Sequence, residues 1–124
     1  MIAVDTSALV AILEAEPDAD RYINALEETA TAVISAVGFV ELGAVMTRRR
    51  GADVVDSIDA LIEAVGLEIA PVTVSQAKLA REAYTRFSAL NFGDSFAYAL
   101  ARERAVPLLF KGDDFMKTDL EIVM

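Results

Sequence analysis

The chain has 124 residues, with 11 basic against 20 acidic side chains and a formal charge of −9 at pH 7. That length suits a single domain over residues 1–124, and a hydrophobic fraction of 55% excludes a disordered chain. There is no cysteine and no histidine, which excludes disulfides, thiolate or imidazole metal sites, a cysteine nucleophile and a Ser-His-Asp triad. Catalysis by this chain must run on carboxylates, hydroxyls, amines or a metal held by oxygen. No apolar stretch approaches the roughly 20 residues needed to span a bilayer. The opening MIAVDTSALV has no basic leader and meets Asp5 almost at once, so no secretory signal is expected and cytoplasmic residence is.

Met1–Val4 is a continuous apolar run, as expected of a strand buried on both faces. Thr6 and Ser7 offer an N-cap for a helix to about Glu14, and Pro17 is placed to start a second over Pro17–Leu26. Thr31–Ile34 reads as a strand, and Ser35 caps a helix running to Arg48–Arg50 and stopping at Gly51. Val54, Val55, Ile58, Leu61, Ile62 and Val65 form a helical stripe closed by Gly66. Leu67–Val72 is a third strand, and Ser75 caps a helix with Ala77, Ala80, Tyr84 and Phe87 on one face. Asn91-Phe92-Gly93 breaks the chain before a helix over Asp94–Arg104; Val106–Phe110 is a fourth strand and Glu121–Val123 a short edge strand. Strands alternating with helices indicate a three-layer α/β/α sandwich with a mostly parallel sheet.

Ligands of such sheets bind beyond the carboxyl ends of the strands, and there this chain is rich in carboxylates. Asp5 follows the first strand, where Thr6 and Ser7 already supply capping groups. Glu41 shares a helical stripe with Val37, Ala44 and Val45 and so is expected on the inward face, where an ionised carboxylate needs a partner or a metal. Asp94 stands in the first turn of a helix, where a negative charge is favoured. Asp113 and Asp114 follow the fourth strand and Gly112. Carboxylates crowded into one pocket repel, and a hard cation relieves them. Oxygen donors without histidine or cysteine select Mg²⁺ or Mn²⁺, which can polarise a phosphoryl oxygen and activate water.

The opening VDTSALV, Glu41 in the helix after the second strand, the segment LNFGDSFAYALA around Asp94, and PLLFKGDDF ending in TDL together resemble a PIN-domain ribonuclease. The likeness is to the VapC-type toxins of bacterial toxin–antitoxin pairs and covers essentially the whole chain. It implies strand order 3-2-1-4-5 and an acidic pocket binding Mg²⁺ or Mn²⁺. It further implies cleavage of RNA of the tRNA or rRNA class, inhibition by a cognate antitoxin, and a homodimer. The resemblance places metal-binding and catalytic acids at Asp5, Glu41 and Asp94, with Thr6 and Ser7 supporting. Many relatives carry an aspartate where Gly112 stands, so here the fourth acid falls to Asp113, nearer the strand end, with Asp114 as second choice.

Two other acidic-pocket classes fit less well. A phospho-acceptor receiver domain needs an acidic pair after its first strand and an aspartate after its third, but Asp5 is single and Leu67–Val74 contains none. A haloacid-dehalogenase-type phosphatase needs an aspartate where Ser7 stands. A non-catalytic binding module is the remaining alternative. The net charge favours a basic antitoxin that directs an arginine or lysine into the pocket.

Overall fold

A computed structural model describes residues 1–123. Its four strands, β1 (Ile2–Val4), β2 (Ala32–Ser35), β3 (Glu68–Ala70) and β4 (Leu108–Leu109), are all parallel and lie in the order β3-β2-β1-β4. The expected fifth strand is reduced to one parallel bridge, Ile122 on Leu108. The edge position is occupied, but not as a strand.

Successive side chains of a strand point to opposite faces, and the core divides accordingly. Ile2, Val4, Ile34 and Leu109 face one apolar cluster, which includes Leu9, Tyr22, Leu42, Met46 and Ile58. These belong to α1 (Thr6–Leu13), α2 (Ala19–Glu28), α3 (Ala36–Arg50) and α4 (Val54–Val65). Ala3, Val33 and Leu108 face a second cluster with Ala83, Tyr98, Leu100 and Phe115, covered by α5 (Val74–Arg86) and α6 (Phe92–Arg104). The result is the expected three-layer sandwich. Because every strand is parallel, their carboxyl ends share one edge, and Asp5, Ser35 and the segment after Phe110 are brought to it.

Several boundaries differ from expectation for local reasons. The cap of α1 is Asp5, not Thr6 or Ser7. Its backbone is extended, and its carboxylate accepts the Ser7 amide proton, as a capping side chain should. Pro17 belongs to the turn before α2, which starts at Ala19. Thr73 rather than Ser75 caps α5, accepting from the Gln76 amide. Ala77 and Tyr84 lie outside, and the buried face of that helix is Gln76, Ala80 and Ala83. Asn91 does not interrupt the chain. It is the N-cap of α6, in a reciprocal capping box with Asp94.

The inward face of α3 is Leu42 and Met46, one position round from the expected stripe. Glu41 is therefore half-buried at the edge of the core, with Ala44 exposed. No helix of the described residues is long and apolar enough to cross a membrane.

Candidate active site

Beyond the carboxyl ends of β1 and β4 lies a cleft of about 300 Å³. Asp5, Glu41, Asp94 and Asp114 line it, together with Thr6, Ser7, Val10, Glu16, Val45, Arg49, Asn91 and Lys111. Asp113, the expected fourth acid, does not. Both aspartates are exposed, but only the next residue, Asp114, lines the cleft. The chain turns at Gly112 (φ 102°), and Phe115 is then anchored in the core against Phe110. That anchor fixes which of the two aspartates points inward.

Asp5 is almost fully buried and is held by its neighbour: its Oδ2 accepts from the Ser7 amide at 3.0 Å and from the Ser7 hydroxyl at 2.6 Å. The same hydroxyl accepts the Lys111 amide proton at 2.9 Å, so the segment after β4 is tied to Asp5 through Ser7. The Thr6 hydroxyl donates to the Gly38 carbonyl at 3.1 Å, joining α1 to α3. Thr6 and Ser7 thus act here by positioning, through hydrogen bonds within the protein. Burial pushes the Asp5 carboxyl above the usual range, and the Glu41 and Asp114 charges add to this against the two Ser7 bonds.

Asp94 is buried in the first turn of α6. Its carboxylate accepts from the Asn91 amide at 3.1 Å, while Asn91 Oδ1 accepts from the Asp94 amide at 2.8 Å. Its pKa is raised to about 7, chiefly by burial, with a side-chain hydrogen bond to Asp114 and the charges of Asp5 and Asp114 adding. The Asn91 bond works in the other direction. Two neighbouring buried acids therefore both resist ionisation.

Glu41 enters from α3. Glu41, Val45 and Arg49 recur at intervals of four and all line the cleft. The carboxylate rests against Gly93 of α6, where a Cβ would stand 2.9 Å from Glu41 Cδ. On the opposite wall, Lys111 Nζ pairs with Glu16 at 2.8 Å and Asp18 at 2.9 Å. These bonds raise the Lys111 pKa further and commit its charge to the rim.

No ion pair reaches Asp5 or Asp94 among the described residues. Buried carboxylates without a cationic partner are costly, and a hard divalent cation is a chemically suitable one. No three acidic side chains form a ready-made metal cage among the described residues. Mg²⁺ needs none, because it keeps several waters and takes one or two protein carboxylates. Asp5 and Asp94, with Glu41 and Asp114 beside them, could supply those.

Residues 2–120 match the PIN domain family. The chain belongs to the PIN-domain family. It is 42% identical over 125 residues to Ribonuclease VapC28 of Mycobacterium tuberculosis, covering 95% of this chain and 94% of that protein. Among solved structures it is similar to Mycobacterium tuberculosis VapC20, described as a Sarcin-Ricin loop cleaving toxin. The TM-score is 0.84 at 19% identity, over 99% of this chain and 98% of that one. A toxin–antitoxin complex from Klebsiella pneumoniae gives a TM-score of 0.77 at 14% identity, over 99% of this chain and 97% of that one. At these identities the two structures establish the fold.

The family match sets aside the receiver-like reading. In this PIN domain, sequence reasoning missed four features of the cleft, three of which left a trace. The capping box was legible as Asn91-x-x-Asp94. Arg49 follows Glu41 at i+8 on one stripe, and Gly93 is a helical glycine directly before a candidate acid. The pairing of Lys111 with Glu16 and Asp18 spans more than 90 residues and left no local trace.

Proposed function

We propose that this PIN domain is an Mg²⁺- or Mn²⁺-dependent endoribonuclease, the toxin of a toxin–antitoxin pair, hydrolysing RNA phosphodiester bonds. The observation that carries this reading is the convergence of Asp5, Glu41, Asp94 and Asp114 on one cleft, with no cationic side chain paired to its two buried acids among the described residues. The names of its relatives, a ribonuclease and a toxin that cleaves the Sarcin-Ricin loop, agree with it and favour structured RNA of the tRNA or rRNA class as substrate.

Asp5 and Asp94 would hold the metal, with Glu41 and Asp114 completing the acidic wall. A bound divalent cation supplies the charge that polarises a phosphodiester and lowers the pKa of water. The chain's own residues orient the acids. Ser7 fixes Asp5, Asn91 fixes Asp94, and Phe115 sets the direction of Asp114. Arg49 is the cleft-lining cation outside any ion pair among the described residues. It is placed to meet an RNA phosphate at the rim, where charge attracts a polyanion to an otherwise acidic protein.

The test is cleavage of tRNA or rRNA by the purified protein with Mg²⁺, Mn²⁺, Zn²⁺ or excess EDTA. Cleavage with Mg²⁺ or Mn²⁺, none in EDTA and no rescue by Zn²⁺ are expected. Undiminished cleavage in EDTA would refute metal dependence, and a protein that binds RNA without cutting it would be a non-catalytic module.

The partner is a basic antitoxin that folds on this surface and places an arginine or lysine among the carboxylates, competing with metal. Glu41→Ala and Asp94→Ala should both weaken that complex; unchanged affinity in both would place inhibition elsewhere. A homodimer is expected, and Tyr84, Phe92 and Phe96 line an apolar groove between α5 and α6 that a second copy would cover. Cytoplasmic residence follows from a substrate of cellular RNA.

A further inference from the structure

Gly93 is in the first turn of α6, where its φ is an ordinary negative one and glycine meets no backbone requirement. Glycine is the poorest helix former after proline, so its presence calls for a reason. The other glycines within helices offer a contrast. At Gly43 a Cβ would meet nothing within 4 Å. At Gly38 it would press on the Ile34 side chain at 3.1 Å, a packing contact inside the core. At Gly93 it would fall on the Glu41 carboxylate, 2.9 Å from Cδ, 3.2 Å from Oε1 and closer still to Oε2. All three of the nearest atoms belong to that one group. The space a side chain would fill is therefore the space Glu41 uses.

From this we infer that Gly93 is a positioning residue for Glu41. Its bare α-carbon lets a carboxylate arriving from α3 lie on the first turn of α6, one residue from Asp94. Any larger residue at 93 displaces that carboxylate from the cleft. Glu41 is the far end of an unbranched side chain on a half-buried position, so it is the group that gives way. The backbone of α6 and the Asn91–Asp94 capping box stay in place. The inference deepens the reading of the cleft as a metal-dependent nuclease site and rests on it for the metal-affinity and cleavage readouts.

The experiment compares wild type, Gly93→Ala, Glu41→Gln and the double variant in three measurements: melting temperature, Mn²⁺ affinity by calorimetry, and RNA cleavage rate. Gly93→Ala should melt at or above the wild-type temperature, since alanine favours the helix. It should lose roughly 10- to 100-fold in Mn²⁺ affinity or cleavage, the usual range for disturbing a group that supports a metal site. Glu41→Gln should then add less than about twofold to that loss, because the carboxylate has already left; contacting residues that act through one interaction are not additive.

Wild-type activity and Mn²⁺ affinity in Gly93→Ala would overturn the inference, as would losses that multiply in the double variant. A Gly93→Ala protein that failed to fold would also overturn it, because the added methyl would then have met an immovable wall. If wild type binds Mn²⁺ but cuts no RNA, the nuclease reading falls, and the calorimetric comparison still decides the role of Gly93.

Discussion

The Ser7 hydroxyl donates to Asp5 Oδ2 over 2.6 Å while accepting the Lys111 amide proton at 2.9 Å, so one side chain orients the buried acid and anchors the loop after β4 to it. Both bonds disappear in Ser7→Ala, which leaves a buried carboxylate and a backbone amide each short of a partner. Losing a hydrogen bond to such a group costs about 1 to 3 kcal/mol, readable as a lower denaturant midpoint. Cleavage should fall roughly 10- to 100-fold, as for other groups that orient a metal ligand. A variant with wild-type stability and rate would show that the Asp5 orientation does not depend on Ser7.

The two aspartates after Gly112 should separate cleanly. Asp114→Asn is expected to lower cleavage at least roughly tenfold, because it removes a charge from the cleft wall. Asp113→Asn should stay within about twofold of wild type, because Asp113 lies outside the cleft lining and surface changes away from a site rarely matter. The reverse order in a side-by-side rate measurement would restore the assignment suggested by sequence order.

Asp94 gives the metal-free protein a pH dependence. Its carboxyl is raised from 3.8 to about 7 in the fold, mainly by burial, so between these values the folded chain holds a proton that the unfolded chain has released. Stability then falls as pH rises through this window. In chelator, the melting temperature should drop by several degrees between pH 4.5 and pH 8 from this group. Asp94→Asn should flatten that drop while keeping the Asn91 cap, since its amide oxygen can still accept. A wild-type melting temperature that climbs steadily over this range, with Asp94→Asn following the same curve, would count against the buried acid.

Three consecutive arginines close α3, and the structure separates them. Arg50 binds Glu14 through two hydrogen bonds of 2.8 and 3.0 Å, while Arg49 lines the cleft. Arg49→Ala should raise the KM for RNA several-fold and flatten its salt dependence, as expected when one phosphate contact is removed. Arg50→Ala should leave the KM within about twofold, since exposed ion pairs contribute little. Equal effects from both would mean that only the general charge of the helix end matters.

The layer architecture and the carboxyl-edge location were legible because buried parallel strands write themselves as unbroken apolar runs, as Met1–Val4 and Val106–Phe110 do. Asp5, Glu41 and Asp94 could be singled out for a related reason: each stands where an apolar pattern meets the start or the wall of a helix. The same local reading misplaced what depends on distant packing. Glu41 shifts off the core face because Leu42 and Met46 are the residues that reach it. Asp114, the second choice for the fourth acid, lines the cleft where Asp113 does not, next to Phe115 packed on Phe110. Asp5, rather than a hydroxyl neighbour, caps α1 because the helix begins directly after β1, at Thr6, and leaves Asp5 as the last extended residue. The expected strand Glu121–Val123 pairs with β4 only through the single Ile122–Leu108 bridge.

Asp5→Asn tests the central claim most directly. The substitution keeps the shape and the capping oxygen of a buried residue and removes only its charge. Cleavage rate and melting temperature are to be measured on the same preparation, with Mn²⁺ and with chelator. The account predicts that cleavage is abolished, that the fold is intact, and that the melting temperature in chelator is equal to or above wild type, because an acid that resists ionisation has been replaced. Full RNA cleavage by Asp5→Asn would contradict the assignment of this carboxylate cleft as the active site.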